Sequence, residues 1–234
     1  MDTERANTIT LYLLEEAIFY HRWIFEKVKP YLKGHILEVG CGIGNLTVWL
    51  LRQGRVTIAD VKEEYLHLVQ NKFRDHPNLI GTLLWDIQKE FPKELYASFD
   101  TIICSNVLEH IQDDQSVLKN FYRLLPSGGR LILLVPALKI LYNPLDRELG
   151  HFRRYGRKEL SQKFILNGFK ICHLTYFNIF GILGWFFNGT LLRRRLLPVR
   201  QIGIFNRMVP FFIWVEKVIP KWIGQSLIAV GEKL

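Results

Sequence analysis

The sequence predicts an α/β fold built on a doubly wound, mostly parallel sheet, and three observations predict it. Short apolar runs alternate with stretches whose hydrophobic residues recur at three- and four-residue steps. The runs are apolar throughout rather than alternating, as in strands covered on both faces. Most end in a glycine, an acid or a Ser-Asn pair, the punctuation of strand-to-helix turns.

In order, residues 8–32 read as helix, with Leu11, Leu14, Ala17, Ile18, Trp23, Ile24 and Val28 on one periodicity, ended by Pro30 and Gly34. Residues 35–39 form a first strand that stops at glycines. Residues 45–52 read as helix, closed by Gly54. Residues 55–59 are a second strand ending at Asp60, and 63–73 a helix. Residues 79–85 are a third strand ending at Asp86. Residues 99–104 are a fourth, followed by Ser105-Asn106. After a helix over 115–125 and the turn Pro126-Ser127-Gly128-Gly129, residues 130–135 form a fifth strand. A helix over 157–166, a sixth strand over 169–176 and a seventh over 226–230 complete the pattern. The connection before the seventh strand is too long for a loop and reads as a helical insertion. The expected organisation is a single domain: a helical cap over 1–34, a core over 35–176 and 226–234, and an aromatic-rich insertion over 177–225.

The chain has 234 residues and a formal charge of +9, but the charge is divided unevenly. Residues 151–234 carry 14 Lys and Arg against 3 Asp and Glu, whereas residues 1–150 carry 17 against 19. A uniformly basic nucleic-acid coat would not divide this way. With 49% hydrophobic residues the chain can bury a core, which excludes disorder. The first residues lack a basic and then apolar leader pattern. Cys41, Cys104 and Cys172 are odd in number and lack a CxxC pair, so core packing in a reducing cytoplasm is expected for all three. Residues 176–192 are apolar but interrupted by Asn178, Gly181, Gly184, Asn188 and Gly189. That is short of the ~20 residues a span needs. With Arg193-Arg194-Arg195 behind it, the segment suits an anionic surface, such as the inner face of a membrane, contacted through 177–207.

The chemistry starts in Glu38-Val39-Gly40-Cys41-Gly42-Ile43-Gly44-Asn45, the turn from first strand to first helix of the sheet. Glycines there let a ligand approach the backbone. The dinucleotide pattern G-x-G-x-x-G is not met, because Asn45 stands where its third glycine belongs. Glu38 would repel a pyrophosphate and attract a cation, which disfavours a dehydrogenase and favours a ligand with a positive amino group. Asp60, 20 residues beyond Gly40, stands where such folds place an acid for ribose hydroxyls. Asp86 ends the next strand, and Ser105 and Asn106 the one after.

The ordered pieces ILEVGCGIGNLT, IAD, LLWDI, FDTIICSNVLEH and LLPSGGRLILLVPA, within residues 35–137, resemble the motifs of class I S-adenosylmethionine-dependent methyltransferases. The resemblance implies a seven-stranded sheet with an antiparallel last strand, S-adenosylmethionine as cofactor and S-adenosylhomocysteine as product. It implies that Gly40, Cys41, Gly42, Gly44 and Asn45, with Glu38, hold the amino-acid end of the cofactor. Asp60 and Val61 would meet the ribose, Asp86 and Ile87 the adenine, and Ser105, Asn106 and Val107 the lip of the crevice. YHRWIFEKVKPYL, LDRELGHFRRY and GQSLIAVGEKL look like a subgroup that modifies lipids, sugars or lipid-linked glycans. On the leading helix, Tyr20 or Arg22 would reach the cofactor carboxylate.

Methyl transfer mainly needs alignment, and a base where the acceptor is a hydroxyl. His151 and His110 are the candidate bases; Asp146, Arg153, Arg154 and Tyr155, in the loop after the fifth strand, are the candidate acceptor contacts. No His/Asp cluster shows ligand spacing, so no metal is expected. The expected acceptor is a small molecule, lipid or glycan. Nucleic acid is disfavoured, since Ser105-Asn106-Val107-Leu108 replaces the Asn/Asp-Pro-Pro-aromatic motif of base-methylating enzymes. Ribose methylation of RNA and a non-catalytic cofactor-binding subunit are the alternative readings.

Overall fold

The computed structural model describes residues 3–219 and 221–234. Seven strands form one sheet: β1 (Ile36–Val39), β2 (Val56–Asp60), β3 (Leu79–Leu84), β4 (Thr101–Ser105), β5 (Arg130–Pro136), β6 (Phe169–Phe177) and β7 (Ser226–Lys233), in the order β3-β2-β1-β4-β5-β7-β6. β1 to β5 are parallel, and β7 runs antiparallel between β5 and β6. The apolar runs explain the order. Every residue of β1 and β2 is buried, as central strands require. β3 and β6 are partly exposed and lie at the edges.

The helices are α1 (Thr3–Glu15), α2 (Ile18–Val28), α3 (Thr47–Leu50), α4 (Glu63–Lys72), α5 (Asp114–Leu124), α6 (Pro144–Glu148), α7 (Arg157–Leu166), α8 (Ile179–Trp185) and α9 (Val199–Val215). α8 continues into a π-helical turn over Phe186–Leu191. The single helix expected over 8–32 is thus two. Ala17 leaves the helical region between them (φ −82°, ψ 50°). Breaking a helix frees backbone groups that need partners, and Asn206 of α9 supplies them. Its Nδ2 donates to the Glu16 carbonyl at 3.0 Å, and its Oδ1 accepts from Tyr20 N at 3.1 Å.

Two apolar layers flank the sheet. One includes Phe99, Phe121, Leu133, Tyr155, Phe164 and Ala229. The other joins Trp23 and Val28 of α2 to Ile36, Ile58, Ile228 and, from the insertion, Val209 and Phe212. The insertion therefore shares the core of the sheet. Trp23 and Phe177 meet with ring centroids 4.5 Å apart, and Phe180 stacks on Phe212 at 4.2 Å. Cys41 and Cys104 are buried, but Cys172 is exposed, contrary to the expectation for all three. It lies on edge strand β6, where the register to β7 shifts between Ile171 and His173.

The strand order reverses direction between β1 and β4, and the crevice outside their carboxyl ends is where doubly wound sheets take ligands. The loops after β1, β2, β3 and β4 therefore converge, since Val39 pairs with both Ala59 and Cys104, and Asp60 with Leu84.

Candidate active site

The loop after β1 is held by its backbone. Gly40 N and Cys41 N both donate to the Ala59 carbonyl, at 2.8 and 3.2 Å. Gly40 and Gly42 have φ of +72° and +52°, where a side chain is strained. Gly40 is also crowded, since a Cβ there would overlap Val107 Cγ2, whereas at Gly42 a Cβ would press on Leu11 Cδ2 at 3.2 Å. Gly42 N donates to Asp60 Oδ2 at 2.9 Å, and Lys62 N to Asp60 Oδ1 at 3.0 Å. Burial raises the Asp60 carboxyl, opposed by these backbone bonds.

Glu38 is buried and accepts from Thr47 Oγ1 at 2.6 Å. Burial pushes its carboxyl up to about 8, with the Thr47 hydroxyl opposing and Asp60 adding to the shift. Such a carboxyl is recharged by a cation placed beside it. The same burial, with Glu38 and Asp60 adjacent, pushes the Cys41 thiol upward and keeps it neutral. Residues 38–46 contain the acid Glu38 and no basic residue, and Asp60 is bonded to the same turn, a donor set that fits a cationic amino acid with ribose hydroxyls.

α1, rather than α2, covers this loop. Leu11 packs on Gly42, and Asn45 Nδ2 donates to the Leu11 carbonyl at 3.2 Å. Thr8 Oγ1 and Tyr65 OH lie 2.8 Å apart, and Lys62 Nζ meets Glu4 at 2.7 Å. This corrects the expectation for Tyr20: α2 turns it toward Phe177 and Phe205, and burial pushes its phenol up to about 12, while Arg22 is exposed on the same helix. The covering residues Leu11 and Thr8 escaped the sequence reading, because nothing in a helix marks which turn it will lie upon. At the other positions, Asp86 Oδ1 accepts from Gln88 N at 3.0 Å, Ile87 is buried and Val61 exposed. Asn106 takes φ +53° and bonds Ser105 Oγ, turning the chain so that Val107 reaches Gly40.

The chain after β5 folds back over the end of β4. Asp146 is its hub and is fully buried. Its Oδ1 accepts from His151 Nδ1 at 2.9 Å and Arg154 Nε at 2.8 Å; its Oδ2 accepts from Trp185 Nε1 and Asn143 N, both at 3.0 Å. Burial alone would raise this carboxyl, but the His151 bond and the Arg154 charge together hold it below the usual range. Arg154 also donates to the Ala137 carbonyl at 2.9 Å and lies 4.9 Å from the Trp185 ring centroid. Tyr155 OH donates to Asp114 Oδ2 at 2.9 Å, and burial pushes its phenol well upward. The expectation that Asp146, Arg154 and Tyr155 face the acceptor is therefore corrected. All three are buried, with their polar atoms bonded inward. Arg153, partly exposed, reaches Asp114 at 3.3 Å and the Gln112 carbonyl at 2.6 Å.

In front of this hub lie His151, His110 and Glu109. An ionised Asp146 only accepts, so the neutral His151 ring carries its proton on Nδ1 and keeps its lone pair on Nε2. That atom is 3.9 Å from Glu109 Oε1. The His110 and His151 rings meet edge to face with centroids 4.7 Å apart. Burial pushes His110 down to about 4, so its ring is neutral. Burial pushes Glu109 up to about 7, although His151 and Arg154 oppose it.

The sequence model of the methyltransferase-domain family matches residues 37–131. The ubiquinone biosynthesis O-methyltransferase of Coxiella burnetii (strain RSA 331 / Henzerling II) is 36% identical over 159 residues, which are 62% of this chain and 67% of that protein. The chain belongs to the class I S-adenosylmethionine-dependent methyltransferases. A reducing polyketide synthase of Preussia isomera is 34% identical over 103 residues, 42% of this chain but only 4% of the synthase. Among solved structures, the [4+2]-cyclase SpnF has a TM-score of 0.61 at 18% identity, covering 92% of this chain and 80% of its own. The magnesium protoporphyrin IX methyltransferase ChlM of Synechocystis PCC 6803, with bound S-adenosylmethionine, has a TM-score of 0.57 at 17% identity, with the same coverage. These two likenesses establish the fold.

A Gly42→Asp substitution would strain the turn and set a second carboxylate against Asp60. Calorimetry is expected to show S-adenosylmethionine binding lost; wild-type affinity would contradict the placement of the cofactor on this loop.

Proposed function

We propose that this methyltransferase methylates a hydroxyl oxygen of an amphiphilic acceptor held at an anionic surface. The observation that carries the oxygen chemistry is the Asp146–His151 pair at the carboxyl end of β4. When bound, S-adenosylmethionine supplies an activated methyl group on a sulfonium. The glycine turn gives it backbone room, and Glu38 and Asp60 offer carboxylates to its amino group and ribose; Asp86, Ile87, Ser105, Asn106 and Val107 form the remaining rim. The chain's own work is alignment and proton handling. Asp146 fixes the His151 tautomer so that Nε2 accepts the acceptor's hydroxyl proton, and it stabilises the resulting imidazolium. His110, neutral beside it, positions the acceptor. The Coxiella relative's name, an O-methyltransferase of ubiquinone biosynthesis, supports oxygen as the target atom.

The amphiphilic acceptor rests on the outer face of the insertion. Ile204, Arg207, Met208, Phe211 and Trp214 recur at helical steps along α9 and are all exposed. Phe186, Phe187 and Leu191 of the insertion are exposed too, and Trp222 beyond α9 is 81% exposed. Arg193, Arg194, Arg195 and Arg200, in the same insertion, are exposed. Exposed apolar side chains together with exposed arginines suit an acyl layer beneath anionic headgroups. No described helix is long and apolar enough to cross a membrane, so the contact would be peripheral.

Replacing His151 by Ala is expected to lower turnover by about 10²–10⁴-fold while cofactor affinity, read by calorimetry, stays near wild type. Undiminished methyl transfer to the acceptor would remove His151 from the reaction. In flotation assays the protein should rise with vesicles containing phosphatidylglycerol and stay down with pure phosphatidylcholine. The triple change Arg193→Ser, Arg194→Ser, Arg195→Ser should abolish most of that binding; indifference to lipid charge would contradict the surface assignment.

A further inference from the structure

Glu109 presents an unsolved requirement. It is 0% exposed, and neither carboxylate oxygen has a hydrogen-bond partner among the described residues. A buried polar group left in that state is costly and calls for an occupant. Arg154 is the nearby fixed cation, but its Nε is committed to Asp146 and its Nη1 to the Ala137 carbonyl.

Two imidazoles face the same point. One ligand atom from each of Glu109, His110 and His151 lies within 4.8 Å of the other two. The His151 ring is held from behind. Its Nδ1 is bonded to Asp146, which leaves Nε2 free toward Glu109. The His110 ring meets it edge to face, with centroids 4.7 Å apart. Histidines that ligate metals are oriented as His151 is, one nitrogen on a carboxylate or a backbone carbonyl and the other on the ion.

The geometry points to a site for one divalent first-row transition-metal cation, held by Glu109, His110 and His151 at the carboxyl end of β4. Two imidazoles and one carboxylate are a catalytic rather than a structural ligand set, because they leave coordination positions open. Bringing the three atoms to the ~3.4 Å separations of a tetrahedral site takes side-chain shifts of about 1 Å. The location is functional as well. Val107, two residues before Glu109, abuts Gly40 of the cofactor turn. An acceptor oxygen on the open position would share the crevice with the methyl donor and become more acidic there.

This inference deepens the hydroxyl-methylation reading and rests on it for the role of the ion, though not for the existence of the site. With the cation bound, His151 Nε2 is a ligand, and the hydroxyl proton leaves to solvent water instead.

The test is direct titration of the chelator-stripped full chain with Co²⁺, followed by visible absorption and calorimetry. One equivalent should bind, with the intense ligand-field bands of a low-coordinate nitrogen–oxygen site. Glu109→Gln and His110→Gln, checked for native circular dichroism, should each weaken binding at least ~10-fold. Absence of stoichiometric binding, or equal binding by wild type and both variants, would overturn the site. In that event His151→Ala turnover, measured without added metal, still decides the hydroxyl-methylation reading by itself.

Discussion

One buried carboxylate organises the chain that follows β5. Asp146 collects four donors from three parts of the chain: Asn143 at the start of its own helix, His151 and Arg154 in the following loop, and Trp185 at the end of α8. A charge in a dry interior is tolerable only when paired and fully hydrogen-bonded, so these groups are obliged to converge. Their convergence fixes the path of the loop after β5, seats α8 against it and turns the His151 ring so that Nε2 faces Glu109. The position of the candidate reacting groups follows from a solvation requirement.

The two halves of the site use opposite electrostatics. Around the glycine turn, Glu38 and Asp60 are acids in a low-dielectric pocket, and burial raises both. Such a pocket is incomplete without a positive charge, and a sulfonium amino acid supplies one. The basic excess lies elsewhere, on residues 151–234, where Arg193, Arg194, Arg195, Arg200 and Arg207 of the insertion are exposed. On the proposed function, that charge bears on where the acceptor is met rather than on the cofactor. The insertion also reaches inward: Asn206 fastens the break between α1 and α2 that lets α1 lie over the cofactor turn.

Much of the sheet was legible in the sequence, because a strand buried on both faces is a continuous apolar run and its turn residues are conspicuous. β1, β2 and β5 could be read that way, as could the glycine turn with its acids. The break at Ala17 could not, since its freed carbonyl is satisfied by a side chain 190 residues away. The loop after β5 was found by its density of charge, but density does not tell inward from outward. Asp146, Arg154 and Tyr155 point in, a consequence of tertiary pairing. The grouping of Glu109 and His110 with His151 is invisible as spacing, because the fold alone brings together residues on either side of β5. Cys172 looked like a core residue beside an apolar run, but β6 is an edge strand.

The hub can be tested by unfolding Asp146→Asn in urea. The substitution keeps the shape of the side chain and leaves the Arg154 guanidinium buried without its hydrogen-bonded carboxylate. The unfolding free energy should fall by about 3–5 kcal/mol, while the folded fraction keeps wild-type S-adenosylmethionine affinity, because the glycine turn does not touch the hub. A wild-type urea midpoint would contradict the claim that this carboxylate holds the loop after β5 and α8 together.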